Sequence, residues 1–176
     1  QYAASYGMRV IVTRAFNHEG PRRGSVFAVS DWAKQIAEAE RGLRPPVVKH
    51  GSLTAVRDIT DVRDTVQGYL AAVARGTSGR VYNLASGQGH KMGEVLDLLL
   101  AAARVKVGRL LDTTRMRPSD VPLLVGDSGS ARADLGWSAS IPLERTLADT
   151  LDYWRAVLGA QTTRPTRKRA ARASSV

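Results

Sequence analysis

No cysteine occurs among the 176 residues, so neither a disulfide framework nor a thiolate metal site can be built. A reducing compartment, and with it a cytoplasmic location, is the expectation. No apolar run approaches the roughly 20 residues that cross a bilayer, and no charged-then-apolar signal segment opens the chain. Neither a membrane partner nor export is therefore expected. His18, His50 and His90 are too scattered for a metal centre, and no His-x-x-Glu or paired-His pattern supports one. His50 and His90 are expected at the surface. A G-x-S-x-G nucleophile elbow and a convincing triad are also missing. Acids are scarce, 16 against 26 Lys and Arg, which leaves a net charge of +10.

Half of that excess lies in a tail, Thr162 to Val176, where Arg164, Arg167, Lys168, Arg169 and Arg172 stand without an acid. Such a tail can grip nucleic acid through counterion release. With no nucleic-acid motif beside it, residues 161–176 are expected to be a disordered, solvated end, and nucleic acid is not an expected partner. The other residues, 1–160, are read as one structured unit, and an apolar share of 43% suffices for a core.

That unit is organised around Val10 to Gly24, VIVTRAFNHEGPRRG. Val10, Ile11, Val12 and Thr13 form a β-branched run that suits a buried strand. A polar loop follows, with Arg14, Asn17, His18, Glu19, Arg22 and Arg23 around Gly20-Pro21. At the carboxyl end of a strand in an α/β sheet, where ligand crevices open, this composition suits an anion.

Further along, strands and helices alternate. Ser25 is a candidate cap for a helix to about Arg41 that ends at Gly42. Val47 to His50 reads as a strand, and Ala55 to Asp61 as an extended piece entering a helix capped by Thr60 or Asp61. Val62, Val66, Tyr69, Leu70 and Val73 mark a stripe on that helix, expected to face the core. A strand at Arg80 to Leu84, a helix from Met92 to Ala103, a strand at Val105 to Leu111, a short helix at Ser128 to Leu135 and a last helix from Pro142 to Leu158 complete the pattern. The fold class that follows is α/β.

Two clusters invite functional readings. Gly87-Gln88-Gly89-His90-Lys91-Met92-Gly93 lies between strand and helix, but its spacing is G-x-G-x-x-x-G, which favours a tight turn over a dinucleotide fingerprint. Asp58, Asp61 and Asp64 could pair for acid/base work; at the start of a helix, capping is the better reading for Asp61 and Asp64. Arg57 differs, because a guanidinium fork beside a crevice suits a phosphate. The residues alone thus outline an anion half-site: Asn17, His18 and Arg23 in one loop, Arg57 in a second, Arg117 in a third.

RAFNHEGPRRG (Arg14 to Gly24), VRDITDVRD (Val56 to Asp64), GRVYNLASGQG (Gly79 to Gly89), RMRPSDVPLLVGD (Arg115 to Asp127) and LGW with IPLERTLADTLDYWR (Leu135 to Arg155) together resemble the C-terminal half of an extended short-chain dehydrogenase/reductase, of the NAD-dependent epimerase/dehydratase type. Within that superfamily the likeness is to the GDP-mannose 4,6-dehydratase family. It implies the last strands of a Rossmann sheet with a small substrate-binding domain, NADP as cofactor, a GDP-sugar substrate and a homo-oligomer at full length. Catalytic residues, including a Tyr-x-x-x-Lys pair, are expected upstream of Gln1. The alternatives are a GDP-4-keto-6-deoxymannose reductase, an epimerase of the superfamily, or a non-catalytic nucleotide-binding module.

For binding, the resemblance places Asn17, Arg57, Arg117 and Asp120 at the sugar nucleotide and His18 with Arg23 at the cofactor. Asp120 stands where Glu is frequent. Ser30-Asp31 replaces an Arg-Lys pair, which bears on the phosphate contacts. Without its N-terminal half the chain is expected to expose strand edges and apolar helix faces.

Overall fold

The computed structural model describes residues 1–116 and 121–162. Arg117, Asp120 and the basic tail beyond Thr162 lie outside the described residues. The rest is a mixed α/β unit built on parallel pairing. β1 (Val12–Ala15) lies parallel to β5 (Val81–Leu84), with Val12 opposite Val81 and Ala15 opposite Leu84. β4 (Val56–Asp61) pairs parallel with β2 (Asn17–Glu19) through its second half. Its first half is flanked by β6 (Gly89–Lys91), antiparallel, and by β8 (Leu123–Leu124), parallel. β3 (Val47–His50) and β7 (Gly108–Leu111) make a third, parallel pair.

The expected opening strand therefore shifts, and the loop after it is partly strand. Val12 to Ala15 pair with β5, then the chain steps across to β4 at Asn17. The β-branched run starts too early because Val10 hands its carbonyl to the Gly79 amide in a loop contact. Asn17, His18 and Glu19 are polar, yet Thr60 in β4 donates its hydroxyl to the Asn17 carbonyl at 3.3 Å and holds them extended.

Among the described residues, five helices beyond the short α1 (Tyr2–Tyr6) supply the packing. α2 (Ala28–Glu40), α4 (Met92–Ala101) and α6 (Leu143–Thr162) enclose a core of Trp32, Ile36, Leu96, Leu99, Leu147 and Leu151. α3 (Val62–Arg75) and α5 (Gly129–Leu135) build a second core with β5 from Ala71, Ala72, Tyr82, Leu84, Leu135 and Trp137. α2 begins at Ala28 rather than after Ser25, because Gly24 to Phe27 form a turn in which the Phe27 amide donates to the Gly24 carbonyl.

The apolar stripe of α3 does not face this core. Val66, Tyr69, Leu70 and Val73 are 40–67% exposed, while Asp64, Thr65, Gly68, Ala71 and Ala72 are buried. Hydrogen bonds and small residues decide the orientation. Trp137 donates its indole N–H to the Asp64 carbonyl at 2.8 Å, and Gly68 lets the Leu84 and Trp137 side chains close against the helix backbone. The helix thus turns its narrow face inward and its broad apolar face outward.

Candidate functional site

Three acids near the start of α3 hold the frame of the site. Asp61 is the N-cap: its carboxylate accepts from the Arg63 amide and guanidinium and from the Thr146 hydroxyl. Burial works against its ionised form, but the Arg63 and Thr146 hydrogen bonds outweigh it and hold the carboxyl below its ordinary value. Asp64 goes further than capping, since it accepts from the amides of Ser140 and Ile141 and so ties α3 to the entry of α6. Asp58, fully buried, accepts from the Ser86 amide and hydroxyl and from the amides of Gly87 and Gly126. The amides of the glycine-bearing turn are thereby already taken by a carboxylate of the same chain, a contact its spacing did not announce. Asp112, after the next strand, caps the 3-10 turn Thr113–Arg115.

With the frame set, β2, the Gly20-to-Phe27 loop, the start of α2 and the ends of β3 and β4 surround a cleft of about 620 Å³. Asn17, Glu19, Arg23, Asp31, His50, Arg57 and Arg115 line it among apolar residues that include Phe27, Trp32 and Met92. The loop is held tightly. A Cβ at Gly20 would stand 2.7 Å from a Val62 methyl, and Arg22 adopts a left-handed φ of 73° that a non-glycine residue holds at a cost of about 1 kcal/mol or more.

Three of the expected site residues, Asn17, Arg23 and Arg57, meet on this cleft. Asn17 donates its amide to the Asp58 carbonyl at 3.2 Å, and Arg57 reaches the Val56 carbonyl at 2.8 Å. His18 does not line the cleft; its Nδ1 lies 3.0 Å from the Phe16 carbonyl, to which it donates. Its Nε2 then accepts from Arg23 Nη1 at 3.4 Å, so His18 braces Arg23 from behind. Arg23 also stacks its guanidinium 3.6 Å above the Phe27 ring.

Two residues enter that sequence reasoning missed. Glu19 is 6% exposed, lies on the cleft, and burial pushes its carboxyl up to about 7 against the opposing pull of Arg23. Arg115 crosses to Asp31 at 2.5 Å. His50 corrects the surface expectation: it is 8% exposed in the cleft wall and its Nδ1 donates to the Gly51 carbonyl at 2.8 Å. Its burial follows from the parallel pairing of β3 with β7, in which Val48 and His50 turn to the same covered side. The Ser30-Asp31 departure also finds its place. Ser30 donates to the Arg23 carbonyl at 2.7 Å and accepts from the Trp154 indole at 3.0 Å, so it anchors the loop rather than offering a cation.

A mixed α/β unit with parallel strands and an arginine-lined cleft at the strand ends is the class of the extended short-chain dehydrogenases/reductases. Within that class the profile described as "GDP-mannose 4,6 dehydratase" matches residues 1–150, and the chain belongs to this family. It is 33% identical over 154 residues to a GDP-6-deoxy-D-mannose reductase of Pseudomonas aeruginosa, covering 88% of this chain and 51% of that one. It is 25% identical to a GDP-mannose 4,6-dehydratase of Vibrio cholerae, covering 84% and 47%. The solved structure of RMD from Pseudomonas aeruginosa complexed with NADPH superposes with a TM-score of 0.84 at 32% identity, covering 89% of this chain and 52% of that one. The chain spans about half the length of the curated relatives it matches.

That solved structure holds NADPH, and the cleft of this chain has one feature that fits such a ligand. Arg23 keeps a buried Nε without a hydrogen-bond partner, a donor suited to a polar or anionic group of such a ligand.

Proposed function

We propose that this chain forms the sugar-nucleotide half-site of an NAD(P)-dependent enzyme acting on a GDP-hexose. The observation that carries this reading is the meeting of Asn17, Arg23 and Arg57, from β2, the adjoining loop and β4, on one cleft of nucleotide-sugar size. Dispersed cations from separate elements suit a diphosphate, whose charge is spread over several oxygens. Asn17 and Arg57 act on the substrate diphosphate, Arg23 on the cofactor side, with His18 orienting Arg23. Arg117 and Asp120 belong to the same substrate side by family resemblance.

The activity proposed first is GDP-mannose 4,6-dehydration with NADP. The bound cofactor would supply an internal hydride relay, taken from C4 and returned to C6 after water leaves across C5 and C6. This chain's residues bind and orient the sugar nucleotide. By family resemblance, the proton-transfer groups would be supplied by a Tyr-x-x-x-Lys pair outside residues 1–176, in a homo-oligomer at full length. A second reading, reduction of a GDP-4-keto-6-deoxyhexose, is favoured by the 33% identity to the reductase against 25% to the dehydratase. Both readings use the same half-site.

Calorimetry on the chain tests the site. GDP-mannose should bind more tightly than UDP-glucose, and Arg57→Ala should weaken it about 10-fold or more through loss of a charge-assisted hydrogen bond. Equal affinity for the two sugar nucleotides, or an indifferent Arg57→Ala variant, would defeat the reading. Joined to a matching N-terminal half, conversion of GDP-mannose marks the dehydratase, and NADPH consumption with the keto sugar marks the reductase.

A further inference from the structure

Glu19 and Arg23 present an unresolved pairing inside the cleft. Their nearest charged atoms, Glu19 Oε1 and Arg23 Nε, stand 3.8 Å apart, beyond hydrogen-bond distance. Glu19 Oε2 and Arg23 Nε are both buried and neither has a hydrogen-bond partner. Arg23 is otherwise fixed, by the Phe27 ring beneath it and His18 Nε2 at its Nη1, and its side chain remains 23% exposed on the cleft. Glu19 is fixed as well, as the last residue of β2 opposite Asp61 in β4. Both groups are therefore held close enough to feel each other's charge and too far apart to neutralise each other by direct bonding.

We propose that Glu19 is a positioning residue whose own charge sets how much of the Arg23 guanidinium is left to an anionic ligand in the cleft. This rests on the sugar-nucleotide reading above and deepens it: Arg23, assigned there to the cofactor side, lines the same cleft as Asn17 and Arg57, so its charge also acts on a substrate diphosphate held by those two residues. With Glu19 neutral, the Arg23 charge is uncompensated and faces the cleft. With Glu19 ionised, a carboxylate in the same low-dielectric wall offsets that charge and opposes a second anion. Binding of a diphosphate and ionisation of Glu19 are then antagonistic, so binding takes up a proton.

The neighbouring charges do not duplicate this role. Asp61, on the paired strand, is committed to Arg63 and Thr146, and Arg63 on α3 also reaches Asp149 on α6. Asp64 on α3 is bonded to Ser140 and Ile141. Across the cleft, Asp31 on α2 is paired with Arg115, while Arg57 on β4 and His50 on β3 are the other charged or titratable groups of the wall among the described residues. His18, beside Glu19 in β2, directs its ring at Phe16 and Arg23. Burial favours the neutral Glu19 and raises its carboxyl toward neutrality, which puts the antagonism in the physiological range.

The test follows the Glu19 carboxyl by carbon NMR across pH 5 to 9 in the full chain, free and saturated with GDP-mannose. That ligand's diphosphate diester does not titrate in this window. The expected result is a Glu19 midpoint that moves upward on binding, and an affinity that falls severalfold from pH 6 to pH 8. Glu19→Gln should hold the high affinity across the range, whereas Glu19→Asp should restore a pH dependence. A Glu19 midpoint unmoved by ligand, or a Glu19→Gln variant with the wild-type pH profile, overturns the proposal. If GDP-mannose does not bind at any pH, the sugar-nucleotide reading fails. The NMR comparison with inorganic sulfate, which does not titrate in this window, then judges Glu19 alone: an upward shift sustains its antagonism with an anion, and no shift ends it.

Discussion

The Asp58 carboxylate accepts the Gly87 backbone amide at 2.9 Å, joining the middle of β4 to the glycine turn after β5. It takes three further donors, the Ser86 amide and hydroxyl and the Gly126 amide. One buried side chain therefore fixes three segments, two of which lead into the cleft. Asp58→Ala would leave those donors without an acceptor in a fully buried place, at 1–3 kcal/mol for an unsatisfied group and more when several share the loss. We expect a destabilisation of about 3 kcal/mol or more in urea denaturation. A loss under about 1 kcal/mol would show that the turn holds itself.

Gly68 makes the orientation of α3 testable. In an exposed helix interior, Gly→Ala gains about 1 kcal/mol from backbone entropy and propensity. Here a Cβ would stand 2.8 Å from both Leu84 methyls and 3.2 Å from the Trp137 ring, and overpacking of this kind costs about 1–3 kcal/mol. Leu84 is fully buried and Trp137 is 5% exposed, so neither can move aside freely. Gly68→Ala should therefore destabilise by about 1 kcal/mol net. A stabilised variant would place the sheet on the other face of α3.

The same helix shows what the sequence made legible. Its start is readable from the Thr60-Asp61 pair, of which Asp61 is the cap, and the alternation of strands and helices gives the α/β class. Its buried face was not, because periodicity reports which residues are apolar and not which face is covered. Asp64 and Gly68, a hydrogen-bond acceptor and a missing side chain, outrank the valine and leucine stripe and carry no hydropathy signal. The cleft divides in the same way. Asn17, Arg23 and Arg57 were named from their chemistry and loop positions, whereas Glu19, His50 and Arg115 needed the strand register and the crossing of the 3-10 turn to α2. Glu19 did carry one signal, an acid between His18 and Gly20 in a loop otherwise suited to anions.

Glu19 also predicts a pH dependence of folding. Burial raises its carboxyl from an ordinary 4.5 to about 7 in the folded chain. Below about pH 4.5 it is protonated in both states and costs nothing. As pH rises from 4.5 to 7, the unfolded chain releases the proton while the folded chain keeps it, so stability falls; above 7 the cost is constant. The full effect is on the order of 3 kcal/mol, at about 1.4 kcal/mol per pH unit. Between pH 5 and 7.5, Glu19→Gln should lose about 2 kcal/mol less stability than the wild type. The lowered carboxyls of Asp61 and Asp149 do not confuse the comparison, since they titrate below their ordinary value of 3.8. Parallel pH profiles for the two proteins would assign the drop to other groups.

Asp31 is the acid whose removal should strengthen binding. It lies on the cleft, where its carboxylate accepts from Arg115 at 2.5 Å and from Gln35 at 2.7 Å. The Arg115 side chain is 39% exposed, so the pair is close to a surface ion pair, worth at most about 1 kcal/mol to folding. Gln35 keeps its bonds to the Lys49 amide and carbonyl in the absence of Asp31. Loss of an acid from the first turn of α2 costs a further 0.3–1 kcal/mol or so. Asp31→Asn should thus lower stability only slightly, while removing one negative charge from the cleft and leaving Arg115 with Asp112, 3.5 Å from its Nε, as its remaining carboxylate partner. For an anionic ligand the balance favours binding: we expect GDP-mannose affinity to rise severalfold at low salt, with the gain shrinking as ionic strength increases. Weaker binding in Asp31→Asn at low salt would mean that Asp31 serves the ligand by holding Arg115 in place, and that position rather than free charge governs this wall of the cleft.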